Sequence, residues 1–296
     1  MVTCSKCGNI SCLGISFNAE RRCELLVTSK EHLRILLDLT TNIRQMILRF
    51  SKDESVRTVT RRKATDVTRK IDELAEAKAL EFLQDKDISA YLVSEESPAR
   101  MVGDKPEIAI VLDPLDGTMN FVNSIPFYAV SAAAGTFKEN MKIQDLTVGV
   151  VRNVPTGEVF SAAKGLGSYN DNEKMIAGLK RSSQSPVISF YSYGRRELPI
   201  PIGGLQELTR FRTLGCASLE ICYVASGRLD ALIDVRSFMR IVDFAAGKII
   251  VEEAGGVFTD LKGNMINQRL EDQSGFSLLA ARDRKLHEWF LKLMWG

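Results

Sequence analysis

The chain has 296 residues, 45% hydrophobic and 26% charged, with a formal net charge of +2. That composition belongs to a folded globular chain with core enough for two domains or one large one. The near-zero balance argues against nucleic acid or a membrane surface as partner. No apolar run approaches the ~20 residues that a bilayer span needs.

The first residues lack the basic start and apolar block of a signal peptide, so a cytoplasmic location is expected. Four of the six cysteines, Cys4, Cys7, Cys12 and Cys23, fall in this opening stretch. Cys4-x-x-Cys7 is half of a zinc-ribbon signature, and the second half is missing. The four are read as reduced thiols of an extension, with a Zn2+ site as the alternative. Cys216 and Cys222 sit in apolar, helix-like sequence and are expected in the core.

Apolar residues recur at helical spacing from Leu36 to Phe50, with Ser29 as the expected N-cap. Residues 1–28 are therefore expected outside the globular fold. Residues 51–70 are polar and basic without apolar period, which predicts a mobile loop. A second helix follows, with Ile71, Leu74, Ala75, Phe82 and Leu83 on one face. ISAYLVSEE reads as a strand that runs into two acidic residues. EIAIV is a short buried strand, and it leads into VLDPLDGTMNF at Val111 to Phe121. Asp113 and Asp116 bracket a stiff Pro114, and Gly117-Thr118 open a short helix. Carboxylates at a strand end, followed by a helix N-terminus, suit a hard cation beside a phosphate.

Three strand-like runs come next, and Pro155-Thr156-Gly157 joins the last two by a turn. A domain junction is expected around residues 180–186, dividing an α+β metal-binding domain (29–180) from an α/β-like substrate-side domain (181–296). PVISFYS and LDALIDV read as strands and residues 216–225 as a helix. DFAAGKIIVEEAGG has helical spacing and a glycine stop. VFTDL and FSLLAA are strands, and an amphipathic helix closes the chain. His32 and His287 lie in helical, surface-like sequence away from the acidic motifs, which argues against a phosphohistidine route. Neither a C-x5-R loop nor a nucleophile elbow is present, so water activated by a metal is the chemistry left for phosphate ester cleavage.

Four acidic elements stand at strand ends or helix starts: Asp72 in TRKID, Glu95 in SEES, Asp113 and Asp116 in DPLDGT, and Asp243 in VDFAAG. Singly, each has an ordinary explanation as a helix-start charge, a solvated loop residue or an N-cap. Together, in this order and spacing, they resemble the inositol monophosphatase family from about residue 33 to the C-terminus. VLDPLDGTMNF matches the family's D-P-[IL]-D-[GA]-[ST]-x-N-F motif. VDFAAGKIIVEEAGG matches its second signature. The T-x-x-x-I-D at Thr68 to Asp72 and the D-A-x-x-D-V-R at Asp230 to Arg236 are similar to the archaeal-type branch. Members of that branch often hydrolyse both inositol monophosphate and fructose 1,6-bisphosphate. Met119 departs from the family's small polar residue, and the loop before Asp72 is basic where the branch tends to be glycine-rich.

The resemblance implies an α+β fold, a layered αβαβα sandwich of the sugar-phosphatase type. It also implies a magnesium-dependent, lithium-sensitive, homodimeric phosphatase that acts on a small sugar or inositol phosphate. Glu95, Asp113 and the Leu115 carbonyl would hold one Mg2+, and Asp113, Asp116 and Asp243 a second. A third, weaker ion would sit near Glu95 and Asp72. Thr118, hydrogen-bonded to Asp72, would orient the water, and the Gly117 and Thr118 N–H groups would cradle the phosphate. Gly215, Cys216 and Ala217 would line the substrate, and Asp234 would bind its hydroxyls. Tyr191, Tyr193, Arg195, Arg212 and Arg236 are candidates for a second phosphate, with structural roles equally open to them. A 3′-phosphoadenosine 5′-phosphate or NADP phosphatase is the alternative enzyme, and an RNA-complex-associated binding protein the non-enzyme alternative.

Overall fold

The computed structural model describes residues 17–62, 67–179, 185–194 and 209–295, with side chains from Val27 onward except at Arg62 and Val67. Two large sheets and three helical layers alternate through it. The first sheet runs in the order β10-β9-β8-β7-β6-β5-β3-β4 and the second β12-β11-β13-β15-β14. In the first, β3 (Ala90–Ser94) pairs in parallel with β5 (Ile108–Asp116), and β5 pairs antiparallel with β6 (Ala129–Thr136). β4 (Arg100–Val102) forms one edge; β7 (Val148–Asn153), β8 (Val159–Ala163), β9 (Gly167–Asn170) and β10 (Glu173–Met175) extend the other way. The second comprises β11 (Val187–Tyr191), β12 (Arg210–Arg212), β13 (Ala231–Met239), β14 (Val257–Asp260) and β15 (Phe276–Ala281).

The layers follow from which faces are apolar. Helix α1 (Phe17–Phe50) buries Leu36, Leu39, Ile43 and Ile47, one stripe at helical spacing. With Ile71, Ala75, Phe82 and Leu83 of α2 (Lys70–Asp85), this stripe covers one face of the first sheet. Helices α4 (Ala217–Ala225) and α5 (Ile241–Glu253) are buried on nearly every side, because they lie between the two sheets. β7 passes so close to α5 that a Cβ at Gly149 would stand 2.6 Å from the Ala246 carbonyl oxygen. Helix α6 (Arg284–Trp295) closes the outer face of the second sheet with Phe290 and Met294. The result is an αβαβα stack of α+β class. One continuous core takes in Val93 and Val151 of the first sheet and Leu232 and Leu278 of the second.

Several expectations are corrected. Helix α1 begins at Phe17, so Ser29 is a buried residue of its body and not an N-cap. Residues 51–70 are no plain loop: a 3-10 turn at Glu54–Arg57 precedes an antiparallel hairpin of β1 (Val59–Arg62) and β2 (Val67–Arg69). Its alternation is too short to read as a strand pattern, and charged side chains on an exposed hairpin remove the apolar signal. The short strands β4, β9, β10 and β12 carried no legible alternation either. His32 and His287 are buried, not on the surface; the His287 ring shares a 2.8 Å hydrogen bond with Thr259. Burial pushes both imidazoles below their ordinary pKa. Cys216 and Cys222 are buried free thiols. Cys4, Cys7 and Cys12, and the Cys23 side chain, lie outside the described residues. No helix among the described residues is long and apolar enough to cross a membrane.

Candidate active site

The acidic elements meet in one cavity of about 680 Å³, lined among others by Asp72, Glu95, Asp113, Leu115, Asp116, Gly117, Thr118 and Asp243. A strand alone would not bring Asp113 and Asp116 to one side, since residues three apart point to opposite faces. The register of β5 against β6 shifts between them, from Asp113↔Ser131 to Asp116↔Ala129. The extra residue of this bulge turns both carboxylates toward the cavity, and Pro114 is accommodated where ladder pairing is already broken. The Leu115 N–H donates to Asp113 Oδ1 at 3.0 Å. Gly117 then takes φ +87°, and a Cβ there would lie 3.2 Å from the Gly215 and Phe127 carbonyl oxygens. Only glycine meets both demands. The turn opens α3 (Thr118–Val122), whose Asn120 Nδ2 donates to the Phe127 and Leu214 carbonyls at 2.7 Å each. Asn120 thereby clamps two flanking segments, a task that its place in a motif does not reveal.

Asp72 and Asp243 are presented in the same way from two different helices. Each is the third residue of its helix and accepts the backbone N–H of the residue before it begins: Arg69 to Asp72 at 2.8 Å, Arg240 to Asp243 at 2.6 Å. Reaching back to an unpaired helix-start N–H fixes the carboxylate and draws on the helix dipole. Thr118 Oγ1 lies 3.0 Å from Asp72 Oδ1 and 3.0 Å from the Leu115 carbonyl oxygen. Asp116 Oδ2 accepts the Ser218 N–H at 2.6 Å and the Cys216 thiol at 3.1 Å, both at the start of α4. Gly215 and Ala217 line the cavity, while Cys216 is fully buried behind them.

This side of the cavity is short of positive charge. Burial raises Asp113 well above the carboxylate range, and repulsion from Glu95, Asp116 and Asp243 raises it further. Asp116 is raised by burial and by Asp243, against the lowering effect of Ser218. Asp72 is pushed up to about 8, chiefly by burial, with Glu95 and Glu96 adding to it and the Arg69 N–H opposing. Carboxylates, a carbonyl and excess negative charge form the donor set of a hard divalent cation. As the side chains stand, no three such residues among those described are disposed to hold a metal ion. Arg240 intervenes: its Nη2 donates to Glu95 Oε1 and lies 3.6 Å from Asp243 Oδ1. Arg240 was not among the residues that the sequence singled out. Glu96 instead receives Thr68 Oγ1 from the hairpin, with Arg61 at 3.8 Å.

The opposite wall comes from the second sheet. β13 shifts register against β15 between Asp234 and Met239, and Ser237 takes φ +60°. This bulge turns Arg236 into the cavity wall. Its Nε donates to Asp234 Oδ2 at 2.8 Å and its backbone N–H to Oδ1 at 2.7 Å. Its guanidinium carbon lies 4.5 Å from the Tyr191 ring centroid and 4.3 Å from that of Tyr193. Tyr191 donates in turn to Glu220, a buried carboxylate that also accepts Ser189 Oγ and the Leu214 N–H at 2.7 Å each. Asp234 does not reach the cavity: it is fully buried and spends its carboxylate on Arg236, contrary to a direct role with substrate hydroxyls. Arg212 is exposed on β12, donates to the Phe211 carbonyl at 2.7 Å and lies off the cavity. Arg195 lies outside the described residues.

Comparison with known proteins identifies the family. The inositol monophosphatase family model matches residues 30–296. Since that match starts at residue 30, it lends the N-terminal cysteines no support as a zinc site. The chain is 37% identical over 234 residues to a fructose-1,6-bisphosphatase/inositol-1-monophosphatase of Methanothermobacter thermautotrophicus, covering 77% of this chain and 83% of that one. It is 38% identical over 234 residues to a bifunctional NADP phosphatase/NAD kinase of Methanococcus maripaludis, covering 73% of this chain but spanning only 41% of that protein's length. A Nus factor SuhB of Pasteurella multocida is 32% identical over 211 residues, 69% of this chain and 75% of that one. A solved inositol monophosphatase–fructose 1,6 bisphosphatase structure superposes with a TM-score of 0.76 at 30% identity, over 88% of this chain and 98% of that one. With the family model matching nearly the whole chain and the motif carboxylates gathered in one cavity, this chain belongs to the inositol monophosphatase family.

Proposed function

We propose that the protein hydrolyses phosphate monoesters of sugars or inositol, with inositol monophosphate and fructose 1,6-bisphosphate as substrates and Mg2+ as cofactor. The observation that carries this reading is the convergence of Glu95, Asp113, Asp116 and Asp243 on one cavity, with Asp113 and Asp116 raised by burial and mutual repulsion. Glu95, Asp113, the Leu115 carbonyl, Asp116 and Asp243 would hold two Mg2+, and a third, weaker ion would sit near Glu95 and Asp72. Bound there, the ions supply charge neutralisation and a more acidic water. The chain's own residues orient and move protons. Thr118 Oγ1 stands between Asp72 and the Leu115 carbonyl, so one hydroxyl proton can serve either. A protonated Asp72 can donate to Thr118, which passes the polarity on to a water at the cavity face. The Gly117 and Thr118 N–H groups bind a phosphate oxygen. Gly215 and Ala217 form the floor, and Tyr191, Tyr193 and Arg236 bound the leaving-group side. Arg195 and Arg212 remain candidates for a distal phosphate. The protein acts as a homodimer in the cytoplasm, on small molecules rather than nucleic acid or membrane. Lithium competes at the weakest metal position, and the basic hairpin beside it blunts that inhibition.

A second reading, a phosphatase of NADP or 3′-phosphoadenosine 5′-phosphate, is supported by the name of the Methanococcus relative. The retention of every acidic motif residue speaks against a purely non-catalytic, RNA-associated role of the kind that the SuhB relative's name raises. Steady-state kinetics on these four substrates, with Mg2+ and with EDTA, separate the readings. Turnover of the first two that vanishes in EDTA is expected. Full activity in EDTA, or turnover confined to the nucleotides, overturns the assignment.

A further inference from the structure

Arg240 contacts two of the carboxylates proposed to hold the metal. It precedes α5, and both ends of the residue serve acidic neighbours. Its backbone N–H donates to Asp243 Oδ2 at 2.6 Å, while its Nη2 reaches across the cavity to Glu95 Oε1 and lies 3.6 Å from Asp243 Oδ1. Glu95 directly follows the first sheet's β3 and Asp243 belongs to the helix between the sheets, so this guanidinium ties two layers together across the acidic cluster. The other two arginines of the cavity make different contacts. Arg69 donates to the Arg57 carbonyl at 2.8 Å and approaches the Met119 sulfur at 3.7 Å. Arg236 is paired with Asp234. Arg240 retains 24% side-chain exposure and Glu95 15%, so water reaches the pair and can solvate the guanidinium if it leaves.

We propose that Arg240 is a positioning residue that acts as an internal counter-cation, holding Glu95 and Asp243 together until a divalent metal displaces its guanidinium from Glu95. The inference rests on the metal-dependent reading above. With the guanidinium on Glu95 Oε1 and 3.6 Å from Asp243 Oδ1, a divalent cation at the same two carboxylates is repelled at close range, so metal uptake requires the guanidinium to move. Its apparent affinity is lowered by the fraction of molecules in which the Arg240–Glu95 pair is closed. A pair closed about nine-tenths of the time weakens metal binding about tenfold. Arg240 also offsets carboxylate repulsion in the metal-free protein, so it stabilises that state at the expense of the loaded one.

The test is Mg2+ titration by calorimetry on wild type and Arg240→Met, paired with thermal melts of both without metal. Neither readout requires turnover. Arg240→Met is expected to bind Mg2+ about tenfold more tightly and to melt earlier when metal-free. Arg240→Lys keeps the charge but not the planar fork that spans two carboxylates, so its Mg2+ affinity should fall between the two. If Arg240→Met does not fold, the lysine variant carries the test alone. Equal or weaker Mg2+ binding in the variants overturns the exchange. No Mg2+ binding by any of the proteins, wild type included, is a different result and sinks the metal-dependent reading itself.

Discussion

The two walls of the cavity treat charge in opposite ways. On the first-sheet side, Asp72, Asp113 and Asp116 are all raised, because burial and mutual repulsion exceed what their hydrogen bonds return. On the second-sheet side, the equally buried Asp234 has Arg236 across two hydrogen bonds from its side chain, and two tyrosine rings flank the guanidinium. One wall is built with a deficit of positive charge that an external cation can fill. The other is complete in itself and supplies shape. Burial alone therefore does not mark a functional carboxylate; the mark is burial without an internal partner sufficient to offset it.

The strongest way to break this contrast is to remove the charge at its most buried point. Asp113→Asn should lower turnover by at least about a thousandfold, since even outer residues around a metal site cost 10–100-fold. The same change should raise the melting temperature of the metal-free protein at neutral pH, because folding no longer has to protonate a carboxyl that the unfolded chain ionises. Kinetics and metal-free melts of one preparation check both, and a destabilised variant would contradict the charge deficit.

Next in size is the complementary change on the other wall. Asp234→Ala should destabilise the fold by about 3 kcal/mol, because it leaves Arg236 buried without its carboxylate. Here metal-free and Mg2+-loaded proteins should lose stability equally, as this pair takes no part in metal uptake. Denaturant melts in both states test it; a loss confined to the loaded form would show that the walls are not separate.

The comparison can also be sharpened through pH. Asp72 has its folded pKa raised to about 8 from 3.8, so the folded state holds a proton that the unfolded chain releases. Its contribution to stability is complete below the unfolded value and is lost as pH rises toward about 8. The metal-free melting temperature should thus decline from about pH 4 to pH 8, while the gain on adding Mg2+ grows. Below about pH 6.5 the buried His32 and His287, held neutral, work in the other direction, since the unfolded chain takes up protons that they refuse. Melts across this range, with and without Mg2+, check the trend. A Mg2+ gain independent of pH would mean that the carboxylates are not the group being relieved.

Much of the site was legible because its parts are local. The Asp113–Thr118 turn, its glycine and the helix starts at Asp72 and Asp243 are each decided within a few residues. What escaped lies far apart in sequence. Arg240 and Glu95 are 145 positions apart, and nothing near either predicts that they touch. The burial of His32 and His287 depends on what packs over their helices. Ser29 reads as a cap only until the helix is seen to continue through it.

The sequence by itself determined the main helices and longer strands, the acidic residues at their ends and the family, because period, turn chemistry and motif spacing act over short stretches of chain. The tertiary structure alone decided which of those charges find a partner. Asp234 and Asp243 look alike in sequence, each an acid in an apolar run. The β13 bulge turns Arg236 toward one, whereas the other meets Arg240 beside the cavity carboxylates where two layers join. Compensation of charge depends on distances between residues remote in the chain, and only packing sets those distances.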